Sequence, residues 1–355
     1  MLPEDKARSL ALQRDLESGK WLLGRKGIHE QVPELSEWKV RQIIQDTRGV
    51  GIGGKAALTP EEQLVMDKTA EQMKMPTITL KIPKLNLKKP VSTGVEEWVI
   101  ASDFHAPYHH QSSCDILYQV MNDINPSKVI LLGDLINLDQ FSRYNDGKHP
   151  GSPTWIDEVS YAGDILGKVR QAAPNAKLQW FEGNHEYRLK KYLMKNDPIL
   201  YGHFDISTLF QLSKNDDAQK EFNLYEYIDL PEILDKELGV IFKHGNKVRS
   251  HAGMSAIAEM NELQLSVVMG HCHRLGITRK ASGRARYMEE PTLFAMEVGC
   301  MCNYDLGYLE GVTVNWQHGF GVLTIIRSGD TPIVEPSVVA INNGKAFFRG
   351  KLYRS

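Results

Sequence analysis

The rhythm of apolar and polar positions changes near residue 96. Before it, apolar residues recur at helical spacing through Leu10, Leu12 and Leu16, then Trp21, Leu22 and Leu23, then Trp38, Val40, Ile43 and Ile44. This predicts short helices over residues 4–47, broken around Pro33 and restarting at a Ser36 N-cap. After residue 96, short apolar runs replace the helical rhythm, and each ends in polar residues. Glu97-Trp98-Val99-Ile100-Ala101 runs into Ser102-Asp103, and Lys128-Val129-Ile130-Leu131-Leu132 into Gly133-Asp134. Lys177-Leu178-Gln179-Trp180-Phe181 leads to Gly183-Asn184-His185-Glu186. Val240-Ile241-Phe242 ends at His244-Gly245, and Leu265-Ser266-Val267-Val268-Met269 at Gly270-His271. Runs of this kind predict buried strands of an α/β sheet, whose sites form at the carboxyl ends of strands. β-rich segments follow at 292–298 and 321–326, and a hairpin over 338–351 turns at Asn342-Asn343-Gly344.

The predicted organisation is a helical N-terminal region over 1–48, a linker over 49–94 and an α/β domain over 95–355 that carries the late strands and hairpin. Short helices joined by tight turns, the last carrying Lys39 and Arg41, have the layout of a helix-turn-helix. DNA contact by these helices therefore stands beside simple packing or oligomerisation. Within the linker, Gly49-Val50-Gly51-Ile52-Gly53-Gly54-Lys55-Ala56 satisfies G-x-G-x-x-G and nearly a P-loop. A helix-like run precedes those glycines where a strand is needed, and Ala56 lacks the magnesium-binding hydroxyl, so a flexible connector is the better reading.

Composition bounds these elements without altering them. With 42% hydrophobic and 24% charged residues the chain can bury a core, which excludes wholesale disorder. Apolar runs are strand-sized, well below the roughly 18 residues of a membrane span. Glu4 and Asp5 stand where a signal peptide is basic, so a soluble, cytoplasmic protein is expected. A net charge of −2 gives no global attraction for nucleic acid or an anionic membrane. The charge is uneven: 16 Lys and Arg face 12 Asp and Glu in residues 1–90, against 26 and 32 in the rest. Cys114, Cys272, Cys300 and Cys302 are too few for a disulfide framework and read as reduced thiols.

The strand-end residues carry the chemistry. Asp103, His105, Asp134, Asn184, His244, His271 and His273 form a mixed set of imidazoles, carboxylates and one amide. Such a set suits manganese, iron or zinc better than calcium or magnesium, which prefer all-oxygen shells. Asp103 and His105 are two apart, as are His271 and His273; at a strand end such pairs are expected to point the same way. Seven ligands exceed one ion, and a carboxylate bridging two ions resolves the count.

In set and order these motifs resemble the calcineurin-like metallophosphoesterases, whose pattern is D-x-H, G-D-x-x-D/N, G-N-H-D/E, H-G and G-H-x-H. All five stand in order here, as Asp103–His105, Gly133–Asn137, Gly183–Glu186, His244–Gly245 and Gly270–His273. The resemblance covers roughly residues 95–330. Gly183-Asn-His-Glu-Tyr-Arg188, Gly270-His-Cys-His-Arg274 and Asn315-Trp-Gln-His-Gly319 look like its phage- and prophage-encoded branch, which would place the protein in a host cytoplasm. The resemblance implies a four-layer α-β-β-α sandwich preceded by the small helical region. It implies two divalent transition metal ions, manganese ahead of iron, zinc or nickel. Asp103, His105 and His273 would hold one ion, Asn184, His244 and His271 the other, with Asp134 bridging. A metal-bridging hydroxide would attack phosphorus in line with the leaving oxygen, and His185 would be the general acid. Protein phosphatases have an Asp at the end of G-D-x-x-D that pairs with this histidine; here it is Asn137, which orients an imidazole without raising its pKa. Phosphodiesters are therefore the expected substrates, as nucleic acid or as small or cyclic nucleotides. A monoester or protein phosphatase, and a nucleic-acid-binding protein with a relic domain, are the alternatives.

Other candidates have plainer readings. Arg188, one helical turn beyond Asn184, could face phosphate or solvent. His109 and His110 read as polar loop residues near the mouth, His251 and His318 as non-ligands, and Cys300 and Cys302 as structural thiols. Tyr304, Tyr308, Trp316 and Phe320 read as packing of the late strands, with base stacking the alternative.

Overall fold

A computed structural model describes residues 3, 6, 7, 25–35, 39, 40, 43, 44, 94–142, 153–210, 212, 225–281, 292–306, 314–327 and 332–355. The chain divides into two compact units, Met1–Thr77 and Ile78–Ser355. In the first, helix α1 spans Arg25–Gln31, and Ala7, Ile28, Val32, Val40 and Ile43 bury together in a small core. Lys39, Val40, Ile43 and Ile44 are also helical, as the apolar spacing predicts. The Ser36 cap, the glycine-rich segment at 49–56 and nearly all of the predicted linker lie outside the described residues.

In the second unit the strand runs become strands. β1 spans Val95–Ala101, β2 Lys128–Leu131, β3 Lys177–Phe181, β6 Val240–Lys243 and β7 Ser266–Met269, each within two residues of its predicted ends. β4 (Glu226–Ile228), β5 (Glu232–Asp235), β8 (Leu275–Lys280), β9 (Leu293–Val298), β10 (Gly319–Ile326), β11 (Ile333–Asn342), β12 (Lys345–Phe348) and β13 (Lys351–Arg354) complete two sheets. The larger has the order β13-β12-β11-β10-β1-β2-β3-β4, and the smaller β5-β6-β7-β9-β8. β1 to β4 run parallel, as do β6, β7 and β9, so the candidate strand ends gather on one edge of each sheet.

The layers follow from strand alternation. Val99 and Ala101 of β1, Val129 and Leu131 of β2 and Trp180 of β3 turn to one side. There they meet helices α2 (Gln111–Ile124) and α3 (Trp155–Ala172), which contribute Leu117, Met121, Ile165 and Val169. Trp98, Ile100, Ile130 and Phe181 turn to the other side, against Phe242, Val268, Met296 and Val298 of the smaller sheet. Beyond that sheet, Ala256 and Met260 of helix α6 (Met254–Leu263) pack on Val267, Met269 and Ala295. Four layers, α-β-β-α, result. Strands between two cores must be apolar on both faces, which is why they read as continuous runs rather than alternating ones.

Local chemistry fixes the element ends. Thr154 and Asp157 form a reciprocal capping box at the start of α3. The buried Glu297 carboxylate accepts from the backbone N–H groups of Gly253, Ser255 and Ala256 at 2.7, 2.7 and 3.1 Å, satisfying the first turn of α6. The predicted hairpin turns at Asn343-Gly344, both with positive φ, and Arg349-Gly350 closes the next turn in the same way. No helix among the described residues is long and apolar enough to cross a membrane.

Candidate metal centre

The predicted ligands come together. Asp103 and His105 follow β1, Asp134 follows β2, Asn184 and His185 follow β3, His244 follows β6, and His271 and His273 follow β7. Helix α4 (Glu186–Asn196) begins directly after His185. His105 Nε2 and His273 Nε2 are 3.1 Å apart, and His273 Nε2 lies 3.0 Å from Asp103 Oδ1. Asp134 Oδ2 lies 3.2 Å from His244 Nε2, 3.7 Å from His185 Nε2 and 3.8 Å from His105 Nε2. His244 Nε2 is also 3.1 Å from Asn184 Oδ1, and His271 falls in one cluster with Asp134 and His244. Asp134 therefore stands between two groups, one of Asp103, His105 and His273, the other of Asn184, His244 and His271.

The pairing at i and i+2 arises differently from the expectation of strand alternation. Both pairs lie beyond their strands, in left-handed backbone: φ is 57° at Asp103, 50° at His105, 65° at His271 and 57° at His273. Asp134 is left-handed too, at 51°. Each such residue costs on the order of 1 kcal/mol, and the neighbouring loops hold them there. Asp103 N donates to Gly133 O, His105 N to Asp134 O and Met301 N to Asp103 O, at 3.1, 2.9 and 3.1 Å. The motif glycines permit this lacing. A Cβ on Gly183 would stand 2.2 Å from Asp134 Oδ1, and one on Gly270 would stand 2.1 Å from Ser102 Oγ.

The donors fit divalent metal. His244 Nδ1 donates to Leu132 O at 2.6 Å and His105 Nδ1 faces Asn137 Oδ1 at 3.3 Å, so each ring aims Nε2 inward. Asp103 Oδ1 is buried with His273 Nε2 at 3.0 Å and His105 Nε2 at 3.8 Å, three ligand atoms gathered closely enough to share one cation. Without metal, protons balance the carboxylates. Burial alone would raise the Asp134 pKa, but the His185 and His244 rings hold it well below the usual range. Burial opposes charge on His244, yet Asp134 outweighs it and pushes the imidazole up to about 10. His273 is raised likewise by Asp103, whereas burial, reinforced by neighbouring imidazoles, lowers His105 and His271.

Metal and proton then compete for His244. The raised pKa leaves it protonated throughout the neutral range, and a ligand must be neutral. Manganese loading at pH 7.5 is therefore expected to release about one proton per chain or more, with affinity falling as pH falls. Titration calorimetry in buffers of different ionisation enthalpy measures this, and zero release would show that His244 is not a protonated imidazole displaced by the metal.

Around the cluster, several residues do what sequence reasoning did not assign. Asn137 faces His105 with its side chain, while its backbone O, 2.7 Å from His185 Nδ1, orients that ring. The expected amide–imidazole pairing with His185 is thus replaced by a carbonyl. Arg188 is not a solvated helix residue: Nη1 donates to Asn137 O and Asp139 Oδ1, both at 2.9 Å, and Nη2 lies 2.9 Å from His185 Nε2. Asp139 was missed, although it stands only two residues beyond the motif. The buried Glu186 carboxylate collects the backbone N–H groups of Asp134, Leu135, Ile136 and Gly183. His251 is exposed and away from the cluster, Phe320 is core, and Trp316 rests its ring 4.1 Å from that of His273.

No family model matches the chain. Among solved structures it is similar to Vacuolar Protein Sorting 29 from Cryptosporidium parvum, at 12% identity over 74% of this chain and 99% of that one, with a TM-score of 0.36. The E. coli phosphoesterase YfcE is similar at 12% identity over 69% and 100%, with a TM-score of 0.29. The Pseudomonas putida nuclease MPE is similar at 11% identity over 67% and 87%, also with a TM-score of 0.29. In sequence, the Gene 54 proteins of Mycobacterium phages D29 and L5 are each 29% identical over 262 residues, 72% of this chain. The match spans 97% of both phage proteins, so the chain contains their length almost end to end.

Proposed function

We propose that the chain is a two-metal phosphoesterase that prefers phosphodiesters. The observation that carries this reading is the convergence of imidazoles from four other strand ends on Asp134. Asp103, His105 and His273 would hold one ion, Asn184, His244 and His271 the other, and Asp134 both. Two divalent ions there supply charge for the phosphoryl oxygens and an acidified water.

The chain's own residues set the leaving-group preference. Asn137 O fixes His185 with its proton on Nδ1. Burial lowers the pKa of His185, and the Arg188 guanidinium adds to burial against the pull of Asp134. The resting imidazole is then neutral, with Nε2 accepting from Arg188 and no proton there for a leaving alkoxide. Leaving groups that need little protonation are favoured, and no carboxylate corrects this at Nδ1. Arg188, anchored on Asp139, is placed to meet a phosphoryl oxygen and release His185 Nε2. The acidic composition of residues 91–355 favours small nucleotide diesters over a long polyanion. Phage relatives fit action inside an infected host cell.

Manganese-dependent hydrolysis of bis(p-nitrophenyl) phosphate beside p-nitrophenyl phosphate tests the preference. The diester is expected to show a kcat/KM about tenfold or more higher; both substrates release the same p-nitrophenolate, so the ratio reads the phosphoryl charge the site accepts rather than help to the leaving group. EDTA should abolish both reactions. Faster turnover of the monoester would replace this reading with a phosphatase.

A further inference from the structure

On the His273 side of the cluster lies a set of rings that metal binding does not use. The His318 ring is sandwiched between two others. His110 stacks on one face at 4.3 Å and 11°, and Tyr304 on the other at 4.1 Å and 19°. Hydrogen bonds lock the stack: His318 Nε2 donates to Cys302 O at 2.7 Å, His318 N donates to the Tyr304 hydroxyl at 3.0 Å, and His110 Nδ1 meets Ser113 Oγ at 2.8 Å. Cys302 ties the stack to the cluster, since its Sγ lies 3.9 Å from His273 Nδ1. Trp316 flanks the same histidine, and Gln317 N donates to His273 O.

Core packing does not account for Tyr304. Phe320, from the same late segment, is wholly buried, whereas Tyr304 is 43% exposed while its ring stays fixed. We infer that Tyr304, backed by His318 and His110 beside Trp316, is a stacking platform for the nucleobase of a nucleotide whose phosphate lies at the Asp134 cluster. The inference rests on the phosphoester reading of that cluster and narrows its substrates to nucleotides. A flat ring held by its own hydrogen bonds loses little freedom when a base covers it, and it accepts any base because every base has a π-face. Glycerol- or sugar-linked phosphoesters would gain nothing from it.

The test is binding to the full, manganese-loaded chain of two phosphonates that differ only in the base. They are the 5′-methylenephosphonate isosteres of AMP and of ribose 5-phosphate, whose C–P bonds the hydrolytic reaction cannot cut. The adenosine compound is expected to bind on the order of tenfold more tightly. Tyr304→Leu should bring the ratio near one, and Tyr304→Phe, which keeps the ring but loses the hydroxyl, should retain it. A wild-type ratio near one overturns the inference, as does a high ratio that survives Tyr304→Leu. Because no turnover is involved, these outcomes are separate from a failure of diester hydrolysis, which would overturn the activity instead.

Discussion

Asp134→Ala is expected to abolish hydrolysis, with a loss of roughly 1,000-fold or more in kcat/KM, and to strip metal from both halves of the cluster. This carboxylate lies in reach of both sets of candidate ligands. Its Oδ2 lies 3.2 Å from His244 Nε2 and 3.8 Å from His105 Nε2, and its Oδ1 accepts from His185 N at 2.9 Å. Removing it takes from His244 and His185 the carboxylate that lies 3.2 and 3.7 Å from their Nε2 atoms. His244, raised mainly by Asp134, then loses the cause of its high pKa. Asp134→Asn separates charge from shape, because the amide oxygen can still accept from His185 N. It should retain the fold and lose metal nearly as completely as the alanine variant. Metal content after gel filtration, read beside manganese-dependent kcat/KM, distinguishes these cases. An alanine variant that keeps two ions per chain, or activity within tenfold of the wild type, would show that Asp134 does not join the two halves.

Much of this arrangement could be read from residues because double burial leaves a strong mark. β1, β2 and β3 lie between two cores, so their apolar runs are unbroken and their ends easy to place. The chemistry-bearing residues follow those ends directly, and the motif glycines mark where loops meet. What failed was the backbone geometry within the loops. Spacing of i and i+2 sets Asp103 beside His105, yet left-handed φ values, not strand alternation, bring them together. Nothing in a sequence announces a left-handed Asp or His, since the tertiary loops Gly133–Asp134 and Cys300–Cys302 impose it. Asn137 shows a second limit. Residue type suggested a side-chain partner for His185, but the backbone carbonyl of the same residue supplies it. Long-range partners such as Asp139 for Arg188 and Trp316 for His273 depend on folds between segments far apart in the chain, which no local pattern specifies.

Glu186→Gln is the substitution expected to damage the fold most while changing almost no volume. Glu186 is 1% exposed, and its carboxylate accepts from the backbone of the loop that carries Asp134. Oε2 accepts from Asp134 N and Gly183 N at 2.9 and 2.8 Å, and Oε1 from Leu135 N and Ile136 N at 2.8 and 3.2 Å. Burial and the Asp134 charge push its pKa up, against the donors that favour the ionised form. Glutamine offers one oxygen and one NH2 to four N–H donors, so two buried donors must face another donor. At about 1–3 kcal/mol for each buried group left unsatisfied, the variant should lose roughly 3 kcal/mol, a large share of a typical 5–15 kcal/mol. Denaturant unfolding in EDTA isolates this loss from metal binding. With metal present, manganese affinity should fall about 10- to 100-fold, the effect of loosening a ligand's support rather than removing the ligand. Glu186→Asp, one methylene short of the loop, should fare no better. If Glu186→Gln unfolds at the wild-type midpoint, the carboxylate does not organise the Asp134 loop, and the left-handed backbone there must be held by the inter-loop hydrogen bonds alone.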